Sequence, residues 1–302
     1  MASIAIAGAT GRLGQLIAGA LRERGATVRA LVRPGTAPER LRGLSGAAIV
    51  EADYSDPASL NRALAGTDVV VSALNGLRDI IVTAQAALLD AAVANRVGRF
   101  IPSDYAADIF RLAAGENRNF DLRREFRTGH LQQAPIASTS ILVGGFMELL
   151  LRGRMIDFAA HAVNYWGSPE QPLDYTTMAD TARIAAAVAL DPHAPDILRI
   201  SGDRITARQV AAAAGEVLGT PFALNRLGSV EELAALIAGE RAAHPEAESE
   251  VFPRFQQLQY THNMQSGRGT LEPLDPPRYD LKLTTVRQLL AANAAQLRAP
   301  QP

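Results

Sequence analysis

The sequence contains no cysteine, which excludes disulfide bonds, thiolate catalysis and cysteine-ligated metal sites. No apolar run reaches the roughly 18 residues that a membrane span requires, and the chain opens directly on an apolar strand, so we expect neither a membrane segment nor a signal peptide. The formal net charge is −1 and there is no long basic run, which argues against a nucleic-acid surface. We therefore expect a cytoplasmic protein that binds a small molecule.

Lysine and aromatic residues are also scarce. Of the 30 basic residues 29 are arginine, Lys282 is the single lysine, and aromatic residues make up 5% of the chain. The five histidines, at positions 130, 161, 193, 244 and 262, lack metal-ligand spacing, so no metal site is expected. What the chain does have, 48% hydrophobic and 20% charged residues over 302 positions, is typical of a globular protein with one large domain or two smaller ones.

A glycine-rich loop follows the first predicted strand. Apolar residues 4–7 lead directly into residues 8–14 (GATGRLG), after which apolar positions recur with the spacing of an amphipathic helix. In such a strand-loop-helix unit, Gly8 allows the tight turn, Gly11 lets backbone N–H groups approach a pyrophosphate, and Gly14 lets the helix pack close to the strand. The helix N-terminus then faces the phosphates with unpaired donors and a partial positive charge. The pattern predicts a dinucleotide site.

Arginine replaces the acidic residue expected after the second strand. Dinucleotide enzymes that use NAD carry Asp or Glu there for the ribose 2′-hydroxyl, whereas this chain has Arg33 at the end of the predicted strand 27–32. A guanidinium suits a 2′-phosphate, and Arg12 inside the glycine loop is expected to reach the same group. We therefore predict NADP(H) as the cofactor. The alternative is that both arginines are ordinary solvated surface residues.

Strand and helix signals alternate through the first half of the chain, with further strands expected at 47–50, 68–73, 99–102 and 138–143. Asp56 and Pro57 open one connecting helix, and another is expected at about 80–95. The pattern predicts an α/β fold, a doubly wound parallel sheet of the Rossmann type. We assign residues 1–150 to this NADP-binding domain and residues 151–302 to a smaller, mostly helical substrate domain with segments that return to the sheet.

Ligands of such sheets lie beyond the carboxyl ends of the strands, so the residues there are the candidates for cofactor contact. Asp53 and Tyr54 are expected beside the adenine. The full set of candidate cofactor-binding residues is Gly8, Thr10, Gly11, Arg12, Leu13, Gly14, Arg33, Asp53, Tyr54, Ala73, Leu74, Asn75, Pro102, Ser103, Gly144, Gly145 and Phe146.

Four segments together resemble the NmrA-like family: residues 8–14, 29–33 (RALVR), 100–105 (FIPSDY) and 144–148 (GGFME). This family comprises atypical short-chain dehydrogenases and includes the isoflavone reductase-like enzymes. The resemblance extends over nearly all of the chain, through residues 200–202 and 284–286. It implies the fold and the cofactor but not the substrate.

The catalytic residues of related enzymes do not carry over. No tyrosine is followed by lysine in the Tyr-x-x-x-Lys spacing of short-chain dehydrogenases, and the register from Phe120 puts Arg123 where isoflavone reductase-like members have a lysine. Arginine keeps its proton near neutral pH, so it can stabilise an oxyanion but is a poor general acid. The candidate catalytic residues are therefore Tyr105 as proton donor, Ser103 near the nicotinamide, and Arg123. For each the alternative is structural: a packing aromatic, a turn residue, a solvated helix face.

In the second half, Asp180 is expected to cap a helix over 181–190. Thr206 with Gln209, and Ser229 with Glu232, form capping boxes before 210–218 and 233–241. Residues 244–280 combine apolar and aromatic side chains with two glycines. That combination suits a lid over an apolar substrate, and equally a helix-packing core or an interface, so a homodimer stays open.

These observations favour an NADPH-dependent reductase that passes hydride to a small apolar or aromatic electrophile such as a quinone, enone, imine or carbonyl. The missing lysine favours a second hypothesis, a redox sensor that binds NADP(H) without turnover, as the NmrA-like resemblance also implies.

Overall fold

A computed structural model describes residues 1–298 of the chain. These residues form a fold around a six-stranded, fully parallel sheet with the strand order β3-β2-β1-β4-β5-β6. This is the strand order of a dinucleotide-binding sheet, and the order reverses between β1 and β4, which is the position at which sheets of this type bind their ligands. The predicted doubly wound fold is confirmed. The strands are β1 Ser3–Ala7, β2 Thr27–Val32, β3 Ala48–Glu51, β4 Val69–Ser72, β5 Arg99–Ile101 and β6 Ala137–Ser138.

Helices cover both faces of the sheet because side chains of β1 point alternately to either side. Ile4 and Ile6 lie in one buried apolar cluster, and Ala5 and Ala7 lie in the other. The helices of this half are α1 Arg12–Glu23, α2 Pro57–Leu64, α3 Gln85–Ala94 and α4 Arg118–Gly129. Asp56 caps α2 by accepting a hydrogen bond from the Ala58 N–H, with Pro57 at the first helical position, as predicted.

Two local predictions are wrong, and one predicted helix is present but has an unexpected first turn. The strand predicted at 138–143 is split, because Thr139 is turned into a buried contact with Arg99 and separates β6 from β7 Ser140–Leu142, which pairs elsewhere. The helix predicted at 80–95 begins as a π-helical turn, Asp79–Ala84, before α3. The helix predicted from 181 begins at Met178, because Thr177 and not Asp180 is its N-cap.

The second half contains small sheets as well as helices. Both predicted capping boxes are present, at the N-termini of the helices Ala207–Leu218 and Val230–Ala243. The elements are β7 Ser140–Leu142, β8 Gly145–Phe146, β9 Ile156–Asp157, β10 Ala162–Trp166, β11 Leu173–Thr176, α5 Met178–Leu190, β12 Ile197–Arg199, β13 Asp203–Ile205, α6 Ala207–Leu218, β14 Ala223–Gly228, α7 Val230–Ala243, α8 Arg254–Gln265 and α9 Val286–Leu297. Short 3₁₀ turns lie at Pro38–Leu44, Leu131–Gln133, Met147–Arg152 and Pro245–Ser249.

Two parts of the second half pack against the first. Helix α5 packs against α1, and β12 pairs in parallel with β7. An extended segment, residues 269–285, which we call the strap, then crosses the molecule. Its Leu271 N–H donates to Asp174 and its Thr284 N–H donates to Asp180.

Asp191, just after α5, accepts hydrogen bonds from Arg278 and Tyr279 of the strap. We expect the contribution of these bonds to the free energy of unfolding to depend on pH. Hydrogen bonding and charge from Arg278, with help from the His193 N–H and Tyr279, lower the pKa of the Asp191 carboxyl from 3.8 to about 2. Because this pKa is depressed in the folded state, the stabilisation is present above pH 3.8 and is lost as the pH falls toward 2. We expect Asp191→Asn to lower the free energy of unfolding at pH 7 by about 1 kcal/mol, allowing for solvent screening. Urea unfolding of both proteins from pH 2 to 7 measures this, and a stability difference that does not shrink below pH 4 would contradict it.

Within the part of the chain that is described, no helix is both long and apolar enough to cross a membrane. Over residues 1–298, no group of three or more His, Asp or Glu side chains has the arrangement of a metal site.

Candidate functional site

The glycine loop has two glycines that the fold requires and a third, Gly11, at which an added Cβ would have a single close contact. Gly8 has φ +74°, and a Cβ there would lie 2.5 Å from the carbonyl oxygen of Ala73. A Cβ on Gly14 would lie 2.3 Å from the Gly8 carbonyl oxygen, which makes glycine necessary where α1 crosses β1. A Cβ on Gly11 would meet only the Gly8 oxygen, at 3.3 Å, with nothing else within 4 Å. Gly8 and Gly14 thus fix the loop, while Gly11 leaves one side of it accessible.

The N-terminus of α1 is arranged for an anion. Gly11 is its N-cap, so no side chain satisfies the first N–H groups, and the first turn carries no acidic residue. The first helical residues, Arg12 and Leu13, follow directly, and Gly14 is buried against the strand. Unpaired donors and the helix dipole together favour a phosphate at this position.

Three arginines lie in the segments that follow β1 and β2. Arg12 and Arg33 are exposed, which fits both the 2′-phosphate prediction and its alternative of solvated surface arginines, so the prediction stays open. The charge of Arg33 acts on Tyr54: burial raises the pKa of the Tyr54 phenol, and Arg33 opposes this. Arg40 is a third cation that sequence reasoning missed. It lies in the 3₁₀ turn after β2, with Nη2 3.4 Å from Oγ1 of Thr10.

Asp53 and Tyr54 follow β3 but have different surroundings. The Asp53 carboxylate accepts from the N–H and the hydroxyl of Ser55, at 2.9 and 2.6 Å, and these bonds lower its pKa. It therefore shapes the turn that leads into α2. The Tyr54 hydroxyl is buried and has no hydrogen-bond partner in residues 1–298. Their predicted place beside the adenine stays a prediction.

The loops after β4 and β5 are joined to each other. Ser103 Oγ donates to the Leu74 carbonyl oxygen at 2.6 Å, and the Ser103 N–H donates to the side chain of Gln85 at 3.2 Å. Ala73 lies against Gly8, and Asn75 is exposed beyond them. Ser103 therefore joins the ends of β4 and β5. The cofactor contacts predicted for Ser103 and for the buried Pro102 stay predictions.

Tyr105 is almost fully buried, at 8% exposure, and its hydroxyl makes no hydrogen bond within the described residues. Burial, and then the neighbouring Asp104 charge, raise the pKa of Tyr105, so the phenol stays protonated. Asp104 is fully buried. Its Oδ2 accepts from Ser140 Oγ at 2.8 Å, and Ser140 in turn accepts from Arg127 at 2.7 Å. Burial raises the Asp104 pKa, and the Ser140 bond opposes it.

Arg123 lies on α4 and faces the end of β5, so it is not on a solvated face. Its Nε donates to the Ser103 carbonyl oxygen and its Nη1 donates to the Asn119 carbonyl oxygen, both at 2.9 Å. Nη2 makes no hydrogen bond within residues 1–298. The side chain is thus fixed at two nitrogens, and the N–H groups of Nη2 stay without a partner within residues 1–298.

The Gly144-Gly145-Phe146 segment passes close to β11. Gly144 has φ +72°, and a Cβ there would lie 2.1 Å from the Asp174 carbonyl oxygen. A Cβ on Gly145 would lie 3.1 Å from the sulfur of Met264, which belongs to α8. Phe146 is partly buried against the cluster that contains Tyr105. Gly144 is therefore required for packing, and Gly145 brings α8 close to this end of the sheet.

Comparison with known proteins identifies the family of this chain. Residues 1–281 match the model of the NmrA-like family. The chain belongs to this family. Pinoresinol reductase 2 from Arabidopsis thaliana is 29% identical over 207 residues, a match that spans 63% of this chain and 65% of the relative's length.

Solved structures of similar proteins share the fold over almost the full chain. Leucoanthocyanidin reductase from Vitis vinifera, solved in complex with NADPH, has a TM-score of 0.78 at 18% identity and covers 97% of this chain and 99% of its own. An NADPH-dependent quinone oxidoreductase from Escherichia coli has a TM-score of 0.70 at 22% identity, covering 96% and 98%. The predicted resemblance to the NmrA-like family is confirmed.

In this NmrA-like chain, the sheet brings the predicted residues together in two groups. The glycine loop, Arg33 and Tyr54 lie near the ends of β1, β2 and β3, whereas Ser103, Tyr105 and Arg123 lie at the end of β5. The sequence contains only a weak indication that Arg40 lies near the glycine loop. Pro38, at the start of the turn that contains Arg40, indicates only that the chain folds back after β2.

Proposed function

We propose that this protein is an NADPH-dependent reductase that acts on a small apolar or aromatic electrophile. The observation that carries the proposal is the N-terminus of α1, where uncapped donors beside Gly11 lie next to exposed arginines. NADP(H) is the ligand whose pyrophosphate suits the first feature and whose 2′-phosphate suits the second. The solved complex of leucoanthocyanidin reductase with NADPH supports this choice.

The chemistry is divided between cofactor and protein. Bound NADPH supplies a hydride for the electrophilic carbon of the acceptor. The role of the chain is to align the acceptor, to stabilise negative charge that develops on the acceptor oxygen through Nη2 of Arg123, and to deliver a proton to that oxygen. The proton comes from Tyr105 or from water, since no lysine lies in this part of the chain.

Aromatic side chains near α8 support an apolar acceptor. Tyr260 lies 5.1 Å from Phe120 and 6.5 Å from Phe252, measured between ring centroids, and Phe252 is 48% exposed. Such rings suit a flat apolar molecule. The similar E. coli protein is named as a quinone oxidoreductase, so quinones are one class of acceptor to test.

The decisive experiment measures NADPH oxidation by the purified protein with a panel of quinones, enones, imines and aldehydes. Turnover of at least one class supports the reductase. Tight NADPH binding without turnover, combined with a protease sensitivity of residues 244–280 that differs between NADP⁺ and NADPH, would replace the reductase by a redox sensor.

Reversing the charge at Arg33 is expected to change the cofactor preference. Arg33→Asp removes a charged hydrogen bond to the 2′-phosphate, so NADPH binding should weaken by about 1.5–3 kcal/mol while NADH binding changes little. Titration calorimetry with both cofactors measures this. Arg62→Asp, on the exposed end of α2, is the control with the same change in net charge. An equal loss for both cofactors would argue against the assignment.

Removing the Tyr105 hydroxyl separates the two proton sources. If Tyr105 donates the proton, Tyr105→Phe should lower kcat about 100-fold with unchanged NADPH affinity, because positioned acids contribute at least that much. The fold should tolerate the change, since the hydroxyl has no partner to lose. Steady-state kinetics and a melting curve test both statements. Retention of most of the activity would assign the proton to water.

A further inference from the structure

One face of α8 is polar although it is buried. Gln256, Gln259 and Asn263 follow one another at three and four residues, which places them on one side of the helix. Their exposed fractions are 0%, 3% and 0%. Buried amides require hydrogen-bond partners, so this face must contact another polar element.

That element is the first turn of α4. The side chain of Asn117 donates to Asn263 and accepts from Gln256, both at 2.8 Å. The same side-chain oxygen of Asn117 also accepts from the Phe120 N–H and so caps α4. The Arg118 N–H donates to Gln259 at 3.1 Å. Residues about 140 positions apart in the sequence are therefore joined through amide groups with defined donor and acceptor directions.

Asn119 extends this contact to Arg123. Its side-chain nitrogen donates to the Tyr260 hydroxyl at 3.0 Å and to the Val251 carbonyl oxygen at 2.9 Å. Its backbone oxygen accepts from Nη1 of Arg123 at 2.9 Å. One residue thus touches α8 through its side chain and the proposed oxyanion donor through its backbone. We call the group Asn117, Asn119, Gln256, Gln259, Tyr260 and Asn263 the amide clamp.

The position of Arg123 depends on two carbonyl groups from different elements. Ser103 belongs to the end of β5, and Asn119 belongs to α4. An arginine side chain has several rotatable bonds, so the direction of its free Nη2 is defined only while both carbonyl groups keep their relative positions. The amide clamp fixes the second of them.

We infer that the amide clamp positions Arg123 for reduction, with Tyr260 and Asn119 as positioning residues. The inference rests on the proposed reductase function. Residues 254–265, which the sequence suggested as part of a lid, thereby have a different role, because they align a catalytic side chain on another helix.

A double-mutant cycle tests this. Tyr260→Phe removes the hydroxyl and keeps the ring against Phe120, and Tyr279→Phe is the matched control because its hydroxyl also makes a 3.0 Å bond, to Asp191. We expect Tyr260→Phe to lower kcat about tenfold with the KM for NADPH within about twofold, because Tyr260 and Arg123 belong to one hydrogen-bond network that runs through Asn119. In an Arg123→Ala background the same change should leave the residual kcat within about twofold. Tyr279→Phe should have no such effect in either background.

An equal loss of kcat in both backgrounds would overturn the inference, since Tyr260 would then act on the substrate by itself. Retention of full kcat in Tyr260→Phe alone would also overturn it.

Hydrogen exchange gives a readout that needs no substrate. Tyr260→Phe and Gln259→Leu should speed exchange of the amides of residues 118–124 several-fold and leave those of α1 unchanged. Unchanged exchange in α4 overturns the clamp whatever the kinetics. If the parent protein reduces no acceptor, the reductase proposal fails while exchange still decides whether the clamp orders α4.

Discussion

Gly11→Val should abolish binding of both NADPH and NADH and leave the protein folded. The φ of Gly11 is −78° and its ψ is 161°, an extended conformation that valine adopts without strain. A Cβ at this position meets only the Gly8 carbonyl oxygen, at 3.3 Å, and the rest of the branched side chain would occupy the space that a pyrophosphate needs above the first turn of α1. We expect affinity for either dinucleotide to fall by more than about 100-fold, since the phosphate contacts are lost together.

Two other glycines of α1 provide controls for this result. Gly14→Ala places a Cβ 2.3 Å from a backbone oxygen, so it should lower the free energy of unfolding by about 1–3 kcal/mol. Gly19→Ala meets nothing within 4 Å and should stabilise the helix by about 0.5–1 kcal/mol with unchanged binding. Melting curves and fluorescence titration of NADPH distinguish the three variants. Retained dinucleotide affinity in Gly11→Val would eliminate this site.

Arg123→Ala should cause the largest loss of catalytic rate. The free Nη2 is the donor that we assign to the developing oxyanion, and removal of one such donor lowers kcat by about 10²–10³. The Kd for NADPH should change little, because Arg123 contacts the end of β5 and not the glycine loop. Arg78→Ala is the control and should keep nearly full activity. It removes a surface ion pair with Glu125, which lies on α4 as Arg123 does.

Arg123→Lys sharpens the test through its pH dependence. Lysine restores a positive charge, so part of the rate should return, but lysine loses its proton at high pH and arginine does not. The kcat of the lysine variant should therefore fall as the pH rises through the lysine pKa, while the parent rate shows no such fall over the same range. Full activity in Arg123→Ala would remove Arg123 from the mechanism.

Local sequence determined the fold class and the dinucleotide loop. Alternating apolar segments specify strands and helices through contacts between near neighbours, and the three glycines of residues 8–14 act within one strand-loop-helix unit. The caps at Asp56, Thr206 and Ser229 were also predictable, because a cap involves residues only two or three positions apart.

The surroundings of the proposed catalytic residues were decided only by tertiary structure. No local pattern indicates that Arg40 lies beside Thr10, that Ser140 lies between Asp104 and Arg127, or that α8 binds the first turn of α4. Each of these contacts joins polar groups from separate elements, as far apart as 146 positions between Asn117 and Asn263. Periodicity shows which face of a helix is apolar, but the partner of a buried amide depends on how whole helices pack.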